Sequence, residues 1–304
     1  MQFLSIGVNE CVNDVIRHIT DELQQLKNKK VNYSIDEVNS EGSTSIICSI
    51  NEDKVSDEKP GQPYNLLILH VSNALADYII KQYEERLIER VINSNYCYFN
   101  STEKNEILKL TLKIIRNEDK SFLNSIYQVR RRNVIVRKLL DYFEGSNNLI
   151  LDGFVNFRLK DYVKDLEEVV DKAVDDFLME REYKEFIRLL KYFVDVQDPK
   201  LEMVHIIVGY DSKYVLLDEN KREITNECIQ EFVSEITGGE INYDDLLVSS
   251  LITLAPRKLV IHCAGQFRNK ELLETIKNVF YGRVQICGGC DICVLNIVKS
   301  ENKK

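Results

Sequence analysis

Hydrophobic residues recur with two different periods in the first 63 residues of the chain. Residues 3–8 form a short apolar run typical of a strand, and residues 31–38 and 45–50 have the same character. Between them, apolar side chains recur every three or four positions from Val12 to Leu26, which predicts an amphipathic helix. The pattern therefore predicts a small N-terminal α/β unit over residues 1–63.

The middle of the chain, residues 64–199, has the period of helices throughout. Its longest apolar stripe begins at Leu159, changes phase near residues 179–182 and resumes from Tyr183 to Val194. This stripe predicts two packed helices, or one helix with a bend. Residues 64–198 contain two glycines and no proline, which excludes a turn-rich β-sandwich or barrel for this part of the chain. We expect a long central helical region here.

Residues 203–298 return to a mixed pattern. The predicted elements are, in order, a hairpin of strands at 203–208 and 214–217, helices at 228–236 and 244–254, a strand at 258–263, a helix at 270–280 and a strand at 283–287. The last three form a strand, helix, strand unit, which is typical of a parallel βαβ crossover. The fold class predicted for the chain is mixed α and β, with α/β units at both ends of the helical region.

Composition and charge narrow the function classes. Of the 304 residues, 44% are hydrophobic and 29% are charged, which is typical of a globular protein. The net charge of −9 disfavours non-specific binding of nucleic acid by the whole surface. The sequence shows no basic leader followed by an apolar run, and no apolar stretch long enough to span a bilayer. We therefore expect a cytoplasmic protein whose eight cysteines are reduced.

One segment of the helical region resembles a known family. Residues 153–162 read GFVNFRLKDY, residues 170–183 read VDKAVDDFLMEREY, and residues 185–194 read EFIRLLKYFV. These motifs resemble the YtxC-like family of sporulation proteins from endospore-forming bacteria. The resemblance is most specific over residues 150–208 and extends to about residue 280. It implies a cytoplasmic protein associated with sporulation, and it implies neither a reaction nor any site residue.

A cysteine run near the C-terminus is the strongest candidate for chemistry. Cys287, Cys290 and Cys293 are separated by two residues each, a spacing that lets neighbouring thiolates bind one metal ion. If the strands before them are parallel neighbours, Cys263 and Cys287 emerge at the same sheet edge. Cys263 is then the predicted fourth ligand, with His262 as the alternative. Both Zn²⁺ and a [4Fe–4S] cluster suit four such ligands.

Two alternatives to a metal stay open for these cysteines. Either Cys287 and Cys290 or Cys290 and Cys293 could act as a redox dithiol, although no thioredoxin pattern precedes them. Free cysteines are also often small buried hydrophobic residues with no chemical role.

A basic block over residues 109–138 is the second candidate site. It contains nine lysines and arginines and two acids, and Arg130, Arg131 and Arg132 lie together in a predicted helix. Such a block can bind phosphates or an acidic partner. The alternative is internal pairing, because residues 161–186 are rich in acids.

The sequence contains no phosphate-binding loop, no dinucleotide-binding glycine motif, no HExxH and no GxSxG. From the absence of these motifs together with the family resemblance, we predict a non-enzymatic cytoplasmic protein, associated with sporulation, that acts by binding an unidentified protein partner. The first alternative is a metal or thiol-redox protein that uses the cysteine run. The second is nucleic-acid binding through the 109–138 block.

Overall fold

A computed structural model describes residues 2–27, 31–40, 43–50, 62–116, 122–209, 214–225 and 242–294. The chain forms two compact units, Met1–Leu178 and Met179–Lys304. The mixed α and β architecture predicted from the sequence is confirmed. The predicted helix at 228–236, most of the loop before residue 62 and the tail beyond residue 294 lie outside the described residues.

A four-stranded sheet forms one layer of the first unit. Its strands are β1 (Gln2–Val8), β2 (Tyr33–Ser40), β3 (Ser43–Ile50) and β4 (Asn148–Ile150), in the spatial order β2-β3-β1-β4. β1 is antiparallel to β3 and parallel to β4. Leu4, Ile6 and Val8 alternate along β1 and are buried, because successive side chains of a strand point to opposite faces.

Seven helices account for the rest of the described first unit, and the last of them continues beyond it. They are α1 (Val12–Lys27), α2 (Gln62–Gln82), α3 (Glu84–Asn95), α4 (Ser101–Arg116), α5 (Phe122–Gly145), α6 (Leu151–Arg158) and α7 (Lys160–Val196). The buried stripe of α1, with Val15, Ile19 and Leu23, belongs to the same hydrophobic core as the strands. Within the described ranges, no helix is both long and apolar enough to cross a membrane.

The phase change predicted near residues 179–182 lies inside α7, which is one helix of 37 residues. Leu166, Val170 and Phe177 belong to the core of the first unit, whereas Val194 belongs to the core of the second. The stripe therefore changes phase because the two parts of one helix bury different faces in two different cores.

The described strands and α-helices of the second unit after α7 are β5 (Met203–Val208), β6 (Tyr214–Leu217), α8 (Tyr243–Leu254), β7 (Lys258–His262), α9 (Lys270–Val279) and β8 (Val284–Ile286). The four strands form one sheet with the spatial order β6-β5-β7-β8. β5 is antiparallel to β6 and parallel to β7, and β7 is parallel to β8. The parallel βαβ crossover predicted for the end of the chain is therefore present as β7, α9 and β8.

Candidate metal centre

The two parallel strands β7 and β8 end at the same edge of the second sheet. Ile261 in β7 is paired with Ile286 in β8, so His262, the last residue of β7, and Cys287, the first residue after β8, lie side by side. The backbone N–H of Cys287 donates to the carbonyl oxygen of Ile261 at 2.9 Å, which fixes the start of the cysteine run against β7. Cys290 directly precedes a helical stretch at residues 291–294 that carries Cys293.

Four potential ligand atoms lie close together at this edge. One side-chain atom from each of His262, Cys287, Cys290 and Cys293 lies within 4.8 Å of the other three. The Sγ of Cys293 is 3.8 Å from the Sγ of Cys290 and 3.9 Å from that of Cys287. The Nδ1 of His262 is 3.3 Å from the Sγ of Cys290 and 3.5 Å from that of Cys293. His262 and Cys293 are buried, and the other two cysteines are partly exposed.

The imidazole of His262 makes contacts through both ring nitrogens. Its Nδ1 faces the thiols, while its Nε2 lies 3.0 Å from Nδ1 of His205 in β5. Burial lowers the pKa of both histidines, and His205 and Lys221 lower that of His262 further. A lowered pKa favours the neutral imidazole, which is the form that binds metals. With Nδ1 as the ligand atom, the proton lies on Nε2 and is donated to His205.

The thiols of the group have pKa values shifted in opposite directions. Burial alone raises the pKa of Cys293, but hydrogen bonds from the backbone at Cys290 and Cys263 and from the neighbouring thiols lower it. A backbone hydrogen bond from Gly289 lowers the pKa of Cys287, but burial and the thiols of Cys290 and Cys293 outweigh that bond and raise it. Within the group, the pKa of Cys293, the most buried of the three cysteines, is therefore lowered while that of Cys287 is raised.

Cys263 lies beside this group and contributes in a different way. It follows the last residue of β7 with φ 56°, a left-handed conformation that L-residues seldom adopt. Its backbone hydrogen-bonds to the thiol of Cys293, and its own Sγ lies 4.0 Å from the carbonyl oxygen of Cys293. Of the two candidates for a fourth ligand, the structure thus places His262 among the three cysteine sulfurs and Cys263 next to them.

His205 is the residue at this site that the sequence pattern did not single out. It lies in β5, and Ile207 of the same strand is paired with His262, so both histidines are on one face of neighbouring strands. A histidine in the middle of a hairpin strand carries no local motif. Only the adjacency of β5 and β7 brings His205 to the site.

The three arginines of the basic block lie in α5 and have different environments. Arg131 is buried, and its Nη1 lies 2.5 Å from Oε2 of Glu84. Arg132 donates to both carboxylate oxygens of Asp77, at 2.6 and 2.9 Å. Arg130 is exposed. Two of the three arginines are therefore engaged by carboxylates of the same unit.

Other bases of the block also contact acids. Arg116 lies 3.2 Å from Glu85, and Lys138 lies 2.9 Å from Asp161. Arg116, Arg131 and Arg132 line a cavity of about 600 Å³ together with Glu84 and Glu85. These contacts are internal ion pairs, which was the alternative to phosphate binding. The acids that pair with the block lie mainly on α2 and α3, and Asp161 is the partner that comes from residues 161–186.

Comparison with known proteins identifies a family and a curated relative that are similar to this chain. The sequence profile of the YtxC-like family matches residues 69–285. A protein of Bacillus subtilis (strain 168) named "Uncharacterized protein YtxC" is 26% identical over 217 residues, which cover 70% of this chain and 74% of that protein. No solved structure matches the chain. The matched range contains His205 and His262 and ends just before Cys287.

Proposed function

The chain belongs to the YtxC-like family, and from this premise we propose that it is a non-enzymatic binding protein in whose second unit one zinc ion fixes the C-terminal strand to the rest of the sheet. The ligands are Cys287, Cys290, Cys293 and His262. The observation that supports this proposal is the separation of the four ligand atoms.

These separations fit a tetrahedral zinc ion. With Zn–S bonds of about 2.3 Å and tetrahedral angles, two sulfur ligands lie about 3.8 Å apart. A nitrogen ligand at about 2.0–2.1 Å lies about 3.5–3.6 Å from each sulfur. The two measured S···S distances are 3.8 and 3.9 Å, and the two measured N···S distances are 3.3 and 3.5 Å. The other two separations, from Cys287 to Cys290 and from Cys287 to His262, are at most 4.8 Å, so binding an ion would require Cys287 to move by no more than about 1 Å.

The same distances argue against an iron–sulfur cluster. In a [4Fe–4S] cluster each cysteine binds a different iron atom, so the cysteine sulfurs are spread around the outside of the cluster. Sulfur atoms 3.8–3.9 Å apart are in van der Waals contact and leave no room for a cluster between them. A mononuclear site is the arrangement that these distances favour.

Four protein ligands favour a structural role over a catalytic one. A catalytic zinc keeps one position for water or substrate, whereas a structural zinc is closed by four protein ligands. β8 has only three residues, and its side chains are partly or fully exposed, so apolar packing contributes little to its stability. A zinc ion would fix β8 and residues 287–294 to the end of β7. The surface that this unit presents to a partner would then depend on the metal.

Metal analysis tests the proposal directly. We expect one zinc ion for each chain purified without chelators, and a Co²⁺-substituted protein with the strong visible bands of tetrahedral thiolate coordination. Cys290→Ser and His262→Ala remove one ligand each and should lose stoichiometric metal. Cys97→Ser is the matched control, because Cys97 is exposed in the first unit and should leave the zinc content unchanged.

Other outcomes of this experiment would overturn the zinc proposal. Chains without metal that contain a disulfide among Cys287, Cys290 and Cys293 would favour the thiol-redox alternative, which the S···S distances of 3.8 and 3.9 Å also allow. Iron with broad visible absorption would favour a cluster. Zinc content that stays the same in Cys290→Ser and His262→Ala would place the ion elsewhere.

We also propose a cytoplasmic location and a role in sporulation, both of which rest on the family resemblance. Deleting the gene in its host should lower the yield of heat-resistant spores, and a copy in trans should restore it. A deletion strain with a normal spore yield would contradict this role and leave the zinc proposal unaffected.

A further inference from the structure

The second part of α7 carries an apolar stripe that faces solvent. Its side chains are between 46% and 66% exposed and are Met179, Phe186, Leu189, Tyr192, Phe193 and Val196. On another face of the same helical segment, Val194 is fully buried, and Ile187 and Leu190 pack against the core. This segment is therefore apolar on two faces, of which one is buried in the second unit.

The exposed stripe has the spacing of a coiled-coil seam. Met179, Phe186 and Phe193 are seven residues apart and occupy one seam position, equivalent to a. Glu182, Leu189 and Val196 follow them by three residues and occupy the second position, equivalent to d. Five of these six seam residues are apolar. Single exposed apolar side chains are common on protein surfaces, but a continuous patch marks an interaction site.

We propose that this seam binds the same seam of a second copy of the chain, with the two helices antiparallel. In an antiparallel pair, a positions face d positions, so Met179 of one copy lies opposite Val196 of the other. Phe186 then lies opposite Leu189 on both sides of a two-fold axis. The interface is self-complementary, as a symmetric dimer requires.

The size of the seam fits a dimer interface. With about 200 Å² for a fully exposed large side chain, the exposed fractions of the five apolar seam residues and of Tyr192 beside them leave roughly 700 Å² of apolar surface on each copy. Stable protein interfaces bury about 800 Å² on each partner. The stripe with its immediate neighbours therefore supplies the area that a stable pair needs.

Glu182, the polar residue of the seam, selects the antiparallel arrangement. In a parallel pair equivalent positions face each other, so Glu182 of one copy would lie opposite Glu182 of the other, and two facing like charges are destabilising. In the antiparallel pair Glu182 of one copy lies opposite Phe193 of the other. The two Glu182 carboxylates are then eleven residues apart along the pair, about 16 Å.

Molar mass in solution tests the pairing on the full chain. We expect sedimentation equilibrium to give a dimer for the wild-type protein, and Phe186→Glu to weaken the dimer at least about 100-fold, because it adds two carboxylates at the centre of the seam, next to the two-fold axis. Phe157→Glu is the matched control, since Phe157 is an exposed phenylalanine of α6 in the first unit. It should remain dimeric. A wild-type chain that is monomeric up to submillimolar concentration would overturn the proposal.

Disulfide trapping tests the direction of the helices. Chains with Met179→Cys and chains with Val196→Cys are mixed and oxidised, with the wild-type chain as background. An antiparallel pair gives the mixed disulfide, whereas a parallel pair gives links between two Met179→Cys chains and contradicts the proposal. Phe186→Glu should keep its full zinc content, so loss of dimer and loss of metal are distinguishable.

Discussion

Glu84 is a buried carboxylate that holds together three elements of the first unit. It begins α3, accepts a hydrogen bond from Arg131 of α5 at 2.5 Å, and accepts another from the hydroxyl of Tyr162 in α7. Glu84, Arg131 and Tyr162 are all at least 95% buried. A buried charge is tolerated only when its partners replace the water that it has lost, so each member depends on the others.

Glu84→Gln tests this dependence at the scale of one residue. The substitution keeps the shape of the side chain but leaves Arg131 as a buried charge without its counter-charge, and we expect a loss of about 3–5 kcal/mol in the free energy of unfolding. Glu85→Gln is the control, because Glu85 pairs with Arg116 at the exposed surface and should change stability by less than about 1 kcal/mol. Urea unfolding measures both. Equal losses of stability in the two variants would contradict the role of Glu84 as the buried counter-charge of Arg131.

The sequence could identify the three cysteines of the candidate site but could not distinguish between the two candidates for the fourth ligand. The spacing of Cys287, Cys290 and Cys293 is local information, and the βαβ pattern correctly aligned the ends of β7 and β8. His262 and Cys263 are adjacent, so spacing does not separate them. The backbone does: Cys263 has left the strand with φ 56°, while His262 still ends it. His205 was out of reach because it joins the site only through the pairing of β5 with β7.

At the scale of elements, the predictions were best where many residues repeat one pattern. The spacing of apolar residues alone predicts α1, α9 and the hairpin of β5 and β6. β4 was not predicted, since three residues after a helix end are too few to show a pattern. Asn148–Ile150 forms a strand because β1 offers it a free edge, which is a tertiary effect. The single helix α7 could not be told from two, because a phase change looks the same in both cases.

The turn that follows β6 offers an element-scale prediction. Lys221 has φ 63°, in a turn where the backbone and side chain of Asp218 bond to residues 220–222. Lys221→Gly removes the clash of Cβ in this left-handed conformation, and we expect a gain of about 0.5–1 kcal/mol in stability of the second unit. Glu219→Gly should instead destabilise, because φ of Glu219 is negative and glycine adds only entropy to the unfolded chain. Thermal unfolding of both variants checks the opposite signs.

At the scale of the whole molecule, the two units have separate hydrophobic cores. The candidate ligands all belong to the second unit, and the buried Glu84 group belongs to the first. The consequences of metal removal should therefore be confined to one unit.

Hydrogen–deuterium exchange can locate these consequences. We expect chelation to speed amide exchange at least about tenfold in β8 and in residues 287–294, since a bound structural metal contributes directly to folding free energy. Peptides from β1 and α2 should exchange as before. Cys290→Ser should show the fast exchange without chelator and no further change with it. Faster exchange throughout both units would contradict a local role of the metal.

The pairing of β1 with β4 also determines the order in which the first unit can be assembled during translation. Ser5 of β1 is bonded in register with Asn148 of β4, so this contact forms only when nearly half of the chain has left the ribosome. The helices between them are built on local contacts and can form as they emerge. One edge of β1, in contrast, stays unpaired until β4 has been synthesised. An open strand edge is prone to pair with the wrong neighbour. The nascent chain is thus most at risk of misfolding in the interval between the synthesis of β1 and that of β4.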